Sequence, residues 1–306
     1  MLLQSARAIC LLSLLSPIDV RGLTSDMRLV QLVPPDSQII AGMDSRSRND
    51  HLDSFLLITR GNKIDLQDFF AIVGADASRE IREVIFVAET GETGVLNEHS
   101  LLAKGHFNRD AIYRMADNGS ATRSTYRGVP VLVVPPLSRE AGKLDQLRWL
   151  TVVEEGTAVF GTLGSVRREL DRWFANAPAD ATLRARLNQL GPDDQSWCVL
   201  TAGPSAKVAE NALAKLDPNL ATLLNRGPVA YGIHFGKRIE VTVSFGPISQ
   251  SALEVQRGHS PSDANLAADL LSRSDAADGT RAVVNVSRSK YAKWITGYAN
   301  GVTMNE

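Results

Sequence analysis

Arg148-Trp-Leu-Thr-Val-Val-Glu-Glu-Gly-Thr-Ala-Val-Phe-Gly-Thr-Leu-Gly-Ser-Val-Arg-Arg-Glu-Leu-Asp-Arg-Trp-Phe174 reads as two short strands, a tight turn between them, and a helix that follows at once. Trp149, Thr151 and Val153 alternate with Leu150 and Val152, the period of a strand with two faces. Glu154-Glu155-Gly156 turns the chain, and Ala158 to Phe160 forms the return strand. Thr162 or Ser165 is placed to cap the helix, whose apolar stripe is Leu163, Val166, Leu170, Trp173 and Phe174. That stripe puts Arg167, Arg168, Glu169 and Asp171 on the exposed side. Trp173→Ala is then expected to cost about 3–5 kcal/mol, and Glu169→Ala to stay within roughly 0.5 kcal/mol. A hairpin with a helix folded back on it buries its own apolar face, so the unit predicts a sheet covered by helices.

Working outward, the same alternation of strands and helices recurs. Gln38–Met43 and Glu83–Ala88 are expected strands, with helices marked by Leu52, Phe55 and Leu56 and by Leu66, Phe69, Phe70 and Val73, the latter ended by Gly74. Leu101–Phe107 pairs back. Asn108 caps a helix that carries Ile112, Met115 and Ala116, stopped by Asn118-Gly119. A strand at Val129–Val134 and a polar linker, Leu137–Gln146, lead to the hairpin. Beyond a break at Ala175–Ala181, Leu183, Leu187 and Leu190 mark a short helix and Trp197–Thr201 a strand. Val229–Phe235 and Ile239–Phe245 flank the turn at Gly236-Lys237, and Ala282–Val286 is the last strand before a helix opened by Ser287. Ser205 and His259-Ser260-Pro261 open two further helices, with Ala252–Gln256 a strand between them.

These elements predict an α+β fold of two related halves, each an antiparallel-rich sheet with helices packed mainly on one face. The halves run from 23 to 176 and from 177 to 306. Asn118-Gly119 and Asp278-Gly279 end two helices 160 residues apart, and Ser37 and Ser196 open two strands 159 residues apart, the trace of an internal duplication.

Residues 1–22 stand apart. One cation in Met1–Arg7, an apolar run of 11 residues from Ala8 to Ile18, and Val20-Arg21-Gly22 at the expected cut have the layout of a secretory signal peptide. The run is too short to span a bilayer. The alternative is a cytoplasmic chain that starts at Met27. Removal of residues 1–22 leaves Cys198 as the single cysteine, in the strand-like run Ser196-Trp-Cys-Val-Leu, so no internal disulfide is expected and a buried structural thiol is. With 33 basic and 34 acidic residues the formal net charge is −1, without the footprint of a nucleic-acid binder.

The chemistry-bearing residues give little. The five histidines, His51, His99, His106, His234 and His259, make no metal-ligand spacing and read as surface or satisfied core positions. Ser287-Arg288-Ser289-Lys290 matches S-x-x-K, the nucleophile motif of penicillin-recognising enzymes, but their S-D-N and K-T-G elements do not occur, and helix capping by Ser287 is the stronger reading. The P-loop, dinucleotide and G-x-S-x-G signatures are absent. No catalytic, cofactor-binding or metal residue is assigned from these motifs.

Val33-Pro-Pro-Asp-Ser-Gln-Ile-Ile-Ala-Gly-Met-Asp44, Arg82-Glu-Val-Ile-Phe-Val-Ala-Glu89, Ala103-Lys-Gly-His-Phe107, Tyr126-Arg-Gly-Val-Pro130, Ala158-Val-Phe-Gly161 and Val166-Arg-Arg-Glu-Leu-Asp-Arg172 occur in this order. Together they resemble a group of uncharacterised bacterial proteins taken to be exported. The resemblance implies export to the periplasm or beyond and an α+β architecture, and it transfers no site. The expected function is an exported, non-catalytic protein with a binding or envelope-associated role. The alternative is a hydrolase whose site assembles only in the fold, with Ser287 and Lys290 as its nucleophile and base.

Overall fold

A computed structural model describes residues 25–44, 66–74, 80–90, 96–135, 147–154, 156–191, 193–201, 229–244 and 281–289. In chain order the elements are α1 (Met27–Leu32), β1 (Ile39–Asp44), α2 (Leu66–Val73), β2 (Glu83–Thr90), β3 (Leu96–Lys104) and α3 (Arg109–Tyr113). Then come β4 (Thr122–Tyr126), β5 (Val129–Val134), β6 (Arg148–Glu154), β7 (Thr157–Gly161), α4 (Leu163–Phe174) and α5 (Ala181–Leu187). The last described elements are β8 (Ser196–Leu200), β9 (Val229–Phe235), β10 (Ile239–Ser244) and β11 (Arg281–Val286).

The eleven strands among the described residues join in one sheet, in the order β11-β10-β9-β8-β1-β2-β3-β7-β6-β5-β4. Every neighbouring pair is antiparallel. The α+β class is as expected, and the two halves meet in a continuous sheet through the β1/β8 pair, where Ile40 lies opposite Val199. The meanders β1-β2-β3 and β8-β9-β10 flank that pair in the same antiparallel order.

Both faces of the sheet are buried, because apolar residues stand at successive positions of its strands. On one face Ile85, Leu102 and Val159 meet α1 through Leu29 and Val30, α4 through Val166 and Leu170, and α5 through Leu183 and Leu187. On the other, Phe86, Leu101 and Phe160 meet α2 through Phe69 and Ile72, and α3 through Ile112. Phe69 is fully enclosed and touches Phe107 and Phe160 with ring centroids 6.4 and 5.6 Å apart. Each such aromatic contributes about 1.5–3 kcal/mol by leaving water.

The helix ends follow local chemistry. α3 starts where Asn108 Oδ1 accepts the Ala111 N–H at 2.9 Å, and α5 where Asp180 Oδ1 accepts that of Leu183 at 2.8 Å. α2 stops at Gly74, whose φ of 89° suits glycine alone. α1 is absent from the expectations above. Asp26 makes it a helix, with Oδ1 accepting the Arg28 N–H at 2.8 Å. Gly42 faces Trp197 across the β1/β8 pair, and its missing side chain makes room for the indole. The expected helices at 52–59, 205–216 and 259–271, the strand at 252–256 and the linker at 137–146 lie outside the described residues.

Candidate functional site

The helix α4 organises the polar groups of this face. Its first turn is capped from a neighbouring strand. Glu98 of β3 accepts the Ser165 N–H at 3.1 Å and the hydroxyl of Thr162, so neither Thr162 nor Ser165 caps the helix with its own side chain. A carboxylate here satisfies an orphan donor and meets the positive end of the helix dipole. Glu98→Ala should therefore cost about 1–2 kcal/mol, at the upper end for a lost cap. Urea unfolding measures it, and wild-type stability in that variant would mean the cap contributes nothing.

The stripe is rotated from its expected position. Val166 and Leu170 are fully buried, Trp173 and Phe174 are half-buried, and Leu163 is exposed. Glu169, expected on the exposed side, is fully buried against the sheet. The physical reason lies in β3, where Ser100 presents its hydroxyl to the same face and donates to Glu169 Oε1. The other oxygen, Oε2, has no partner. A near-neutral Glu169→Ala is thus no longer expected, because the change would strand the buried Ser100 hydroxyl.

Burial dominates the electrostatics. It pushes the Glu169 carboxyl up to about 8, against the pull of the Ser100 hydrogen bond and the Arg168 charge, while Glu89 and Glu98 add to the rise. Burial raises Glu89 as well, although Arg168 pairs with it. Arg168 also reaches Asp36 at 3.2 Å, which ties the outer face of α4 to the entrance of β1. On the opposite face of β3, His99 is buried with neither ring nitrogen hydrogen-bonded. Burial, then the charge of Arg148, push it down to about 4. It is a core histidine, yet not a satisfied one.

Beside the C-terminal half of α4 lies a groove of about 360 Å³, walled by Leu32, Val153 and Trp173 and edged by Arg28, Glu154 and Arg172. Arg172 links its two sides, donating through Nε to Gln31 O at 2.8 Å and through Nη2 to Pro178 O at 2.6 Å. Arg28 and Glu154 face each other at 3.3 Å across the mouth, and the Trp173 indole donates to Glu154 Oε1 at 3.3 Å. A lining that is mainly polar, with opposed charges at the rim, suits a small polar ligand.

The sequence-derived candidates lie elsewhere. Ser287 is exposed just past β11 with its hydroxyl 3.2 Å from that of Ser289, and Lys290 is outside the described residues, as are His51 and His259. His106 is exposed beyond the end of β3, which stops at Lys104. His234 Nδ1 lies 2.8 Å from Asp193 O. Cys198 is buried and unpaired, its thiol pushed up to about 12 by burial, as befits a structural position. Among the described residues no helix is long and apolar enough to cross a membrane.

No family model matches the chain, and no curated protein does. Two solved structures, crystal forms I and IV of TP0453, align with 88% and 87% of this chain and 96% of theirs. Their TM-scores are 0.47 and 0.45, at 10% and 11% identity.

Proposed function

We propose that this chain is an exported, non-catalytic protein with a binding role at the cell envelope, and that the groove between α1 and α4 takes a small polar ligand. The groove carries the reading, because its mainly polar lining and charged rim offer a ligand groups that orient it. Its two long walls come from α1, which starts only a few residues beyond the expected cut after Gly22, and from α4.

The start of the fold supports removal of residues 1–22 over translation from Met27. Asp26 caps α1, its N–H donates to Glu83 Oε2 at 2.8 Å, and its carboxylate lies 3.8 Å from Lys104 Nζ. A chain that began at Met27 would lose all three contacts. The related meanders on either side of β1/β8 fit descent from a duplicated unit, which we include in the proposal.

Fractionation of the producing cell with N-terminal sequencing tests the compartment: a chain that begins near Leu23 outside the cytoplasm is expected. A cytoplasmic chain that retains residue 1, or begins at Met27, would overturn export. For the groove, native mass spectrometry of the purified chain should show a non-covalent adduct that is lost in Ala177→Trp, where an indole fills the space. An adduct indifferent to that change would place the ligand elsewhere.

A further inference from the structure

The turn that links α3 to β4 carries Asn118-Gly119 at its tip, where Asn118, Gly119 and Ser120 are all exposed. Gly119 has φ of 78°, a left-handed conformation that glycine takes without strain. A side chain placed there would meet nothing within 4 Å, and the Gly119 N–H reaches Ala116 O only at 3.3 Å. The Ser120 N–H donates to Met115 O at 3.0 Å and to Asn118 Oδ1 at 3.1 Å. The second contact folds the Asn118 amide back along the chain, beside the Gly119 nitrogen. Among the described residues the side-chain NH2 of Asn118 has no hydrogen-bond partner.

This arrangement suits a reaction within the chain itself. Once the Gly119 amide gives up its proton to solvent, its nitrogen can attack the side-chain carbonyl carbon of Asn118. A bond forms between Gly119 N and Asn118 Cγ, closing a five-membered succinimide. The Cγ–Nδ2 bond breaks, and the departing NH2 takes a proton back from solvent and leaves as ammonia. Three observations favour the step here. No side chain on Gly119 hinders the approach. The Ser120 N–H sits on the oxygen where negative charge gathers during attack, the place of an oxyanion donor. The leaving NH2 gives up no contact with a described residue.

We propose that Asn118-Gly119 is a site of self-modification, where the asparagine converts to aspartyl and isoaspartyl forms with water as the co-reactant. Water opens the succinimide at either imide carbonyl. Addition at Cγ breaks the Cγ–N bond and leaves aspartate in an ordinary backbone. Addition at the main-chain carbonyl breaks that carbon's bond to the Gly119 nitrogen, and the chain then runs through the former side chain. Either product carries a carboxylate that the parent lacks. It stands next to Asp117, which holds Arg123 of β4 through contacts of 2.9 and 3.2 Å. Each event therefore adds negative charge at the root of an edge strand of the sheet. Neither the groove nor the compartment of the protein enters this inference.

The test is to age the purified, folded chain at mildly alkaline pH and follow its tryptic peptide Met115–Arg123 by mass spectrometry. With time the peptide should gain the mass of an amide-to-acid exchange and separate into aspartyl and isoaspartyl forms, told apart by electron-transfer fragmentation. The rate should lie within about tenfold of that of the same chain in guanidinium, since the turn holds the reacting atoms together. Asn118→Gln, a change confined to an exposed side chain, should leave the peptide unaltered over the same interval. Gly119→Ala should slow conversion by about tenfold or more, because a Cβ crowds the attacking nitrogen and disfavours the left-handed turn. An Asn118 that stays intact in the folded chain overturns the proposal. So does acid without any isoaspartyl form, the mark of direct hydrolysis, and so does a Gly119→Ala chain that ages like wild type.

Discussion

Stability measured by urea unfolding across a pH series should be level between about pH 4.5 and 6.5 and fall on both sides, so far as Glu169 and His99 set it. In the unfolded chain Glu169 loses its proton above 4.5, while the folded chain keeps it to about 8. Folding then takes up a proton, and stability falls as pH rises, by at most about 1.4 kcal/mol per pH unit. For His99 the sign is opposite. The unfolded imidazole gains a proton below 6.5 and the folded one only near 4, so stability falls as pH drops. From 4.5 to 6.5 the two slopes cancel; above that window Glu169 acts alone. Glu169→Gln keeps an amide against Ser100 and removes the titration, so its curve should be flat from pH 6.5 to 8. An unchanged slope in that variant would show that the carboxyl is not held neutral. His99→Phe should flatten the acid side and uncover the fall set by Glu169 between about pH 4.5 and 6.5, where the His99 slope no longer offsets it.

Gly42→Ala should be among the most damaging single substitutions in the chain. A Cβ at that position would sit 2.1 Å from Trp197 Cε2 and 2.4 Å from Nε1. Trp197 is 3% exposed and packs within the helix-covered core, so the indole has nowhere to go. Alanine gains roughly 0.5–1 kcal/mol over glycine in a strand through backbone entropy. Overpacking costs about 1–3 kcal/mol and sometimes more; at these distances the clash wins, and a net loss of about 3 kcal/mol is expected. Shortening the partner supplies the check. Gly42→Ala with Trp197→Leu should be less destabilised than the sum of the single changes by about 1 kcal/mol or more. Strict additivity would mean that the indole does not occupy the space above Gly42.

Much of this architecture was legible because its signals are local. Asn108 with Gly119, Gly74, the turn at Gly156 and the alternation through Trp149–Val153 each specify a dihedral or a face within a few residues. The antiparallel class followed from short connections between strands. What was not legible depends on partners far along the chain. Val166, Glu169, Leu170 and Trp173 also have helical spacing, but a carboxylate reads as solvent-facing unless Ser100, 69 positions earlier, is known to meet it. The same holds for the cap of α4, which comes from Glu98 rather than from the residues beside it. The stacking of Arg167 on two rings was not legible for a related reason: Arg167, Tyr126 and Trp149 are ordinary residues until two hairpins and a helix bring them together. α1 was missed because six residues before Pro34-Pro35 are too few to show a period.

The junction of the two meanders also sets the order in which a growing chain can assemble. Ala41 pairs with Cys198, 157 positions later. β2 can reach the other edge of β1 early, yet the edge that awaits β8 stays bare until roughly two thirds of the polypeptide has been made. At ordinary synthesis rates that interval is on the order of ten seconds, far longer than the microseconds in which a hairpin closes. Bare strand edges recruit other chains. The segment Ile39–Asp44 is therefore where nascent copies of this protein are most exposed to one another.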